Sequence, residues 1–125
     1  METITMILLG LVALAHVGFM AIEMFPWNRP FVFDLVGLGF DPRLDNEVAA
    51  APIVHNAGLY NGFIAAGVVW SMSTDGPAFH LRLFFLICAL VAGLFGAVTL
   101  KSPKTLLLQT VPAIAALVAV CVSSR

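Results

Sequence analysis

The sequence predicts an all-α integral membrane protein: a four-helix bundle of up-down topology, with one longer loop between its first and second helices. Three observations predict it. The chain has 125 residues, of which 61% are apolar and only 10% charged. An ordinary soluble domain is about 45–50% apolar and about 25% charged. The mean hydropathy is +1.02, so there is too little polar side chain to cover a water-facing surface. Finally, four apolar runs each reach the ~20 residues that a helix needs to cross a bilayer. A disordered chain, a nucleic-acid binder with a basic face and most soluble enzymes are excluded by the same numbers.

The first run covers residues 4–25 and is closed by Pro26. No Lys or Arg precedes it, and it ends in Glu23-Met24-Phe25-Pro26-Trp27. That is not a small-residue cleavage site, so the run reads as an uncleaved membrane helix and not as a signal peptide. Loop 1 follows, with Arg29, Asp34, Asp41, Arg43, Asp45 and Glu47. Its Phe31-Val32-Phe33 and Leu35-Val36-Gly37-Leu38 stretches are too short to span and suit the interface, with Trp27 as an anchor. Residues 44–51 read as a short helix leading into the second run, residues 53–72, which Pro52 opens. The third run covers residues 78–100 between Pro77 and Pro103, and the fourth covers residues 105–122 around Pro112. Each run is expected to be helical, because a helix pairs every backbone donor and acceptor within itself. Prolines at the edges cost little, since first-turn N–H groups have no helical partner. Pro112 predicts a kink. The connections at residues 73–77 and 101–104 are short and make sequential helices antiparallel neighbours.

Loops 1 and 3 carry Arg29, Arg43, Lys101 and Lys104, against Arg82 and Arg125 on the other side. The positive-inside rule then places those loops in the cytoplasm and both termini outside it. Gly58, Gly62 and Ala66, and likewise Ala89, Gly93 and Ala97, form small-residue stripes. Such stripes let helix backbones approach closely in lipid. Packing within the bundle is the first use for them, and a homo-oligomer the alternative. Cys88 and Cys121 lie in apolar runs with nothing basic beside them and read as small hydrophobes.

The stretch His55-Asn56-Ala57-Gly58-Leu59-Tyr60-Asn61-Gly62-Phe63-Ile64-Ala65-Ala66-Gly67 resembles the signature of domain-of-unknown-function family 1304. The likeness extends to Leu14-Ala15-His16, Ile22-Glu23-Met24-Phe25 and Trp27 in the first run. It continues through Phe84-Phe85-Leu86, Val91-Ala92-Gly93 and Gly96-Ala97 in the third, and Gln109, Pro112 and Ala113 in the fourth. The resemblance implies a small four-helix membrane protein of a bacterial and fungal set, here in the bacterial inner membrane. Ala15 and Ala57 stand where the family usually carries Glu and Gln. Any role needing those two polar groups is therefore in doubt for this chain. The resemblance supplies a topology and no activity.

Six polar groups inside the predicted spans are the ones to place: His16, Glu23, Asn56, Tyr60, Asn61 and Gln109. Such groups are expensive in lipid and call for a partner or a purpose. His16 and Glu23 are two helical turns apart and share a face. Counting ~1.5 Å per residue from the loop-1 side puts Glu23 about 3 Å deep, Asn56 about 4–5 Å and Gln109 about 6–8 Å. Asn61 comes out about 12 Å deep and His16 about 13–14 Å. Depth alone thus pairs Glu23 with Asn56, and His16 with Asn61.

The six groups are candidates for a polar cavity opening toward loops 1 and 3, holding a small polar ligand or an ion. The alternative is interhelical hydrogen-bond glue in an accessory or scaffold subunit, at ~0.6 kcal/mol a contact. A third reading is a membrane enzyme acting on a lipid or quinone head group, with His16 or Glu23 as general base. Ser71 and Ser73 lie at the far end of the second run from Glu23, so no Ser-His-acid triad forms. His55 is interfacial, and no tight His or Cys spacing points to a metal. The sequence names no cofactor.

Overall fold

The computed structural model describes residues 1–25, 46–99 and 103–124. Trp27, Arg29, Arg43 and the rest of loop 1 up to residue 45 lie outside the described residues, as do Lys101 and Arg125. The described residues form four helices: α1 (Glu2–Met24), α2 (Asn46–Ser73), α3 (Ala78–Thr99) and α4 (Pro103–Ser123). Helix α2 begins before Pro52 and runs through it. The short lead-in helix and the second span expected from sequence are therefore one helix. Pro52 removes one backbone donor early in α2, where the loss interrupts a single helical hydrogen bond.

The helices α1, α3 and α4 are long and apolar enough to cross a membrane by length and composition. Helix α2 has 28 residues, ample length at ~1.5 Å each. Asn46, Glu47, His55, Asn56, Tyr60 and Asn61 lower its hydropathy. Large apolar side chains face outward on all sides, among them Leu14, Phe63, Phe95 and Val118. A monomer in water rarely exposes so much contiguous apolar surface.

Neighbouring helices pack around a square: α1 on α2, α2 on α3, α3 on α4 and α4 on α1. Their direction alternates. Along α2, Gly58 and then Gly62 lie against Met24 and then Met20 of α1, and Thr5 of α1 lies 2.8 Å from the Ser123 hydroxyl at the end of α4. The buried core is Leu9, Val12, Ala13, Val68, Leu86, Ala89, Ala113, Ala116 and Val120. Four of the nine are alanine, which lets helices come close where lipid supplies no hydrophobic drive. Gly62 receives the Met20 sulfur, and Gly67 receives the Phe85 ring. Cys88 is half-buried and Cys121 faces outward, both as free thiols.

Helix α4 contains a π turn, Leu106–Thr110, just before Pro112. The Val111 N–H bonds the Leu106 carbonyl, five residues back. Proline at 112 cannot donate to the carbonyl of Leu108, and its ring crowds that group. Widening the preceding turn relieves the crowding at Pro112.

At the α1 N-terminal end, Arg82 of α3 reaches across the diagonal of the square. It donates from Nη1 to Glu2 Oε1 (3.2 Å) and from Nε to the Ser71 carbonyl (3.3 Å). Arg82→Ala is expected to lower stability by about 1 kcal/mol, a modest sum because Glu2 is exposed and screened. Arg82→Lys is expected to recover only part of it, since a lone ammonium lacks the fork that reaches both partners. Thermal unfolding in detergent reads both.

Candidate functional site

The second diagonal tie lies toward the other end and is made of amides and a carboxylate. Asn61 Nδ2 of α2 donates to Glu23 Oε2 of α1 at 2.8 Å. Gln109 Nε2, in the π turn of α4, donates to Asn61 Oδ1 at 3.4 Å. Three of the four helices are joined by this chain. The π turn matters to it: Gln109 and Thr110 are both buried, whereas the preceding residues Leu107 and Leu108 face outward.

His16 is fully buried in α1. Its Nδ1 lies 2.8 Å from the Val12 carbonyl. A carbonyl only accepts, so Nδ1 carries the proton, and in the neutral ring Nε2 presents a lone pair. Nε2 is buried with no hydrogen-bond partner among the described residues, and so is Thr110 Oγ1. Phe19 packs edge-on against the His16 ring at 6.5 Å.

Counted along their helices, His16 and Thr110 come out within about 4 Å of the same depth in the bundle. Starting from the Thr5–Ser123 contact, His16 is eleven residues along α1 and Thr110 thirteen back along α4, about 16 and 20 Å at ~1.5 Å per residue. The π turn touches α1 directly. The polar groups thus form a column: Glu23 nearest the α1 C-terminus, then Asn61 and Gln109, then Thr110 and His16 deepest. Below them the apolar core fills the bundle down to Arg82.

Of the six groups singled out in the sequence, the fold brings Glu23, Asn61 and Gln109 into contact and buries His16 near them. Asn56 and Tyr60 face outward instead; Tyr60 stacks obliquely on Phe63 at 6.2 Å. The partner of Glu23 is Asn61 and not Asn56. Rotation about α2 explains it. Gly58 and Gly62 face α1, and residues 56 and 60 lie about 200° round the helix from Gly58, whereas residue 61 lies about 60° from it. Counting depth cannot see that angle. Thr110 is a residue that depth counting passed over. Its signal was local: a hydroxyl two residues before Pro112, where the ordinary bond to the fourth carbonyl back is disturbed.

Among the described residues no group of three or more His, Cys, Asp or Glu comes together in a way that could hold a metal ion. The column is instead uncharged apart from Glu23. Among the described residues the ion pair is Arg82–Glu2, at the opposite end.

The described residues are helical, and three of their helices are apolar and long enough to cross a membrane. The chain belongs to the family described as protein of unknown function (DUF1304), whose sequence model matches residues 10–121. That match takes in every residue of the polar column. No curated protein and no solved structure matches the chain.

Proposed function

We propose that this protein binds a small polar ligand or ion inside the helix bundle, at the column of Glu23, Asn61, Gln109, Thr110 and His16. One observation carries the reading: two polar atoms, His16 Nε2 and Thr110 Oγ1, are buried without a partner among the described residues. A buried unpaired polar atom costs about 1–3 kcal/mol. A ligand that bonds both offsets that cost. Entry is from the end where α2 and α4 begin, because the apolar core occupies the other half of the bundle. Transport requires that apolar layer to part, so binding is the first step and passage the second.

The Glu23–Asn61–Gln109 chain also favours a second reading, in which polar contacts only fix helix packing in an accessory subunit. Native mass spectrometry with optical absorption on the detergent-purified protein separates the two. Binding predicts a retained small molecule that is lost in the His16→Ala/Glu23→Gln double variant. A protein that carries no adduct, and whose unfolding midpoint no polar solute raises, supports packing alone.

A further inference from the structure

We infer that the ligand is an ammonium-type cation, a small amine in its protonated form, and this rests on the reading of the column as a binding site. The argument is one of donors and acceptors. Val12 fixes the His16 tautomer, so the buried Nε2, unpartnered among the described residues, is an acceptor. The amide chain is oriented the same way. Gln109 donates to Asn61, and Asn61 donates to Glu23, so donors are turned toward the carboxylate. Thr110 Oγ1 adds a hydroxyl that accepts as readily as it donates. The deep end of the column therefore asks for a hydrogen-bond donor.

Charge points the same way. Glu23 accepts from a neutral amide, and no Lys or Arg pairs with it among the described residues. Lys104 stands exposed near the start of α4, more than a turn outward from Gln109. An anion in the column would meet the Glu23 carboxylate in a low-dielectric surrounding, where like charges repel strongly. Alkali and alkaline-earth ions prefer all-oxygen cages and gain little from an imidazole nitrogen. An N–H cation satisfies both chemistries at once: N–H to the His16 nitrogen and the Thr110 oxygen, positive charge toward Glu23.

Methylammonium chloride is the probe, titrated into the full-length protein in nanodiscs. The readouts are the ¹⁵N resonance of His16 Nε2 and the thermal unfolding midpoint. Methylammonium is expected to shift the resonance and raise the midpoint. Tetramethylammonium, with the same charge and no N–H, and sodium sulfate are expected to do neither. Glu23→Gln keeps an acceptor for Asn61 and is expected to weaken methylammonium binding roughly tenfold or more. If sulfate or glycerol moves the His16 resonance and methylammonium does not, the cation assignment falls and the binding site stands. If tetramethylammonium acts as methylammonium does, the N–H requirement falls. If no solute moves it, both the assignment and the binding reading fall.

Discussion

Gly93→Val is expected to be the most damaging single substitution at a helix contact, costing about 3 kcal/mol. A Cβ at position 93 would lie 2.5 Å from Thr110 Oγ1, 2.9 Å from Gln109 Cβ and 3.0 Å from the Thr110 backbone nitrogen. Two of those atoms are close to the main chain of the π turn and cannot swing aside as the end of a long side chain can. The two helices must separate, or the π turn must shift. Gly93→Ala already places the offending carbon; about 1 kcal/mol of gained helix propensity offsets part of its cost. Gly10→Ala and Gly18→Ala provide the contrast. Nothing lies within 4 Å of a Cβ at either position, so both are expected within about 0.5 kcal/mol of the parent or slightly above it. Equilibrium unfolding in mixed detergent micelles measures all four. A Gly93→Ala protein as stable as Gly10→Ala would refute the tight α3–α4 contact.

Asn61→Leu is expected to have the second-largest effect, and on two observables. It removes the donor to Glu23 and the acceptor for Gln109 together. Polar contacts between membrane helices average ~0.6 kcal/mol and reach about 1.7, and a carboxylate left buried adds to the loss. A cost of about 2 kcal/mol follows, with loss of whatever ligand the parent protein retains. Asn56→Leu is the matched control, the same chemical change on the same helix. Asn56 is exposed and makes no side-chain bond to another described residue. Its replacement is expected to change stability by less than about 0.5 kcal/mol. Equal effects at 56 and 61 would show that α2 is rotated from the orientation in which Gly58 and Gly62 face α1.

The candidate site was legible as a set of residue types and illegible as a set of contacts. Glu23, Asn61, Gln109 and His16 stood out because polar groups in apolar runs are costly wherever they point. Asn56 and Tyr60 stood out for the same reason and turned outward. The distinction between the two groups is an angle about α2, and the hydropathy of a residue carries no angle. Thr110 did not stand out at all. Threonine in a helix ordinarily bonds a carbonyl of its own preceding turn, as Thr99 does with Phe95. Thr110 lies in the π turn before Pro112, buried and with no hydroxyl partner among the described residues.

What the sequence determined by itself is the class of molecule: helical, apolar and alternating in direction. Composition, the length of four runs and the shortness of two loops leave a bilayer no other way to satisfy the backbone. Tertiary structure alone decided which helix faces meet. Small residues permit close approach without dictating rotation, and it took Met20 against Gly62, Phe85 against Gly67 and Thr110 against Gly93 to set it. Those contacts turn Asn61 inward and Asn56 outward, and so join a carboxylate, two amides, a hydroxyl and an imidazole from three helices in one column.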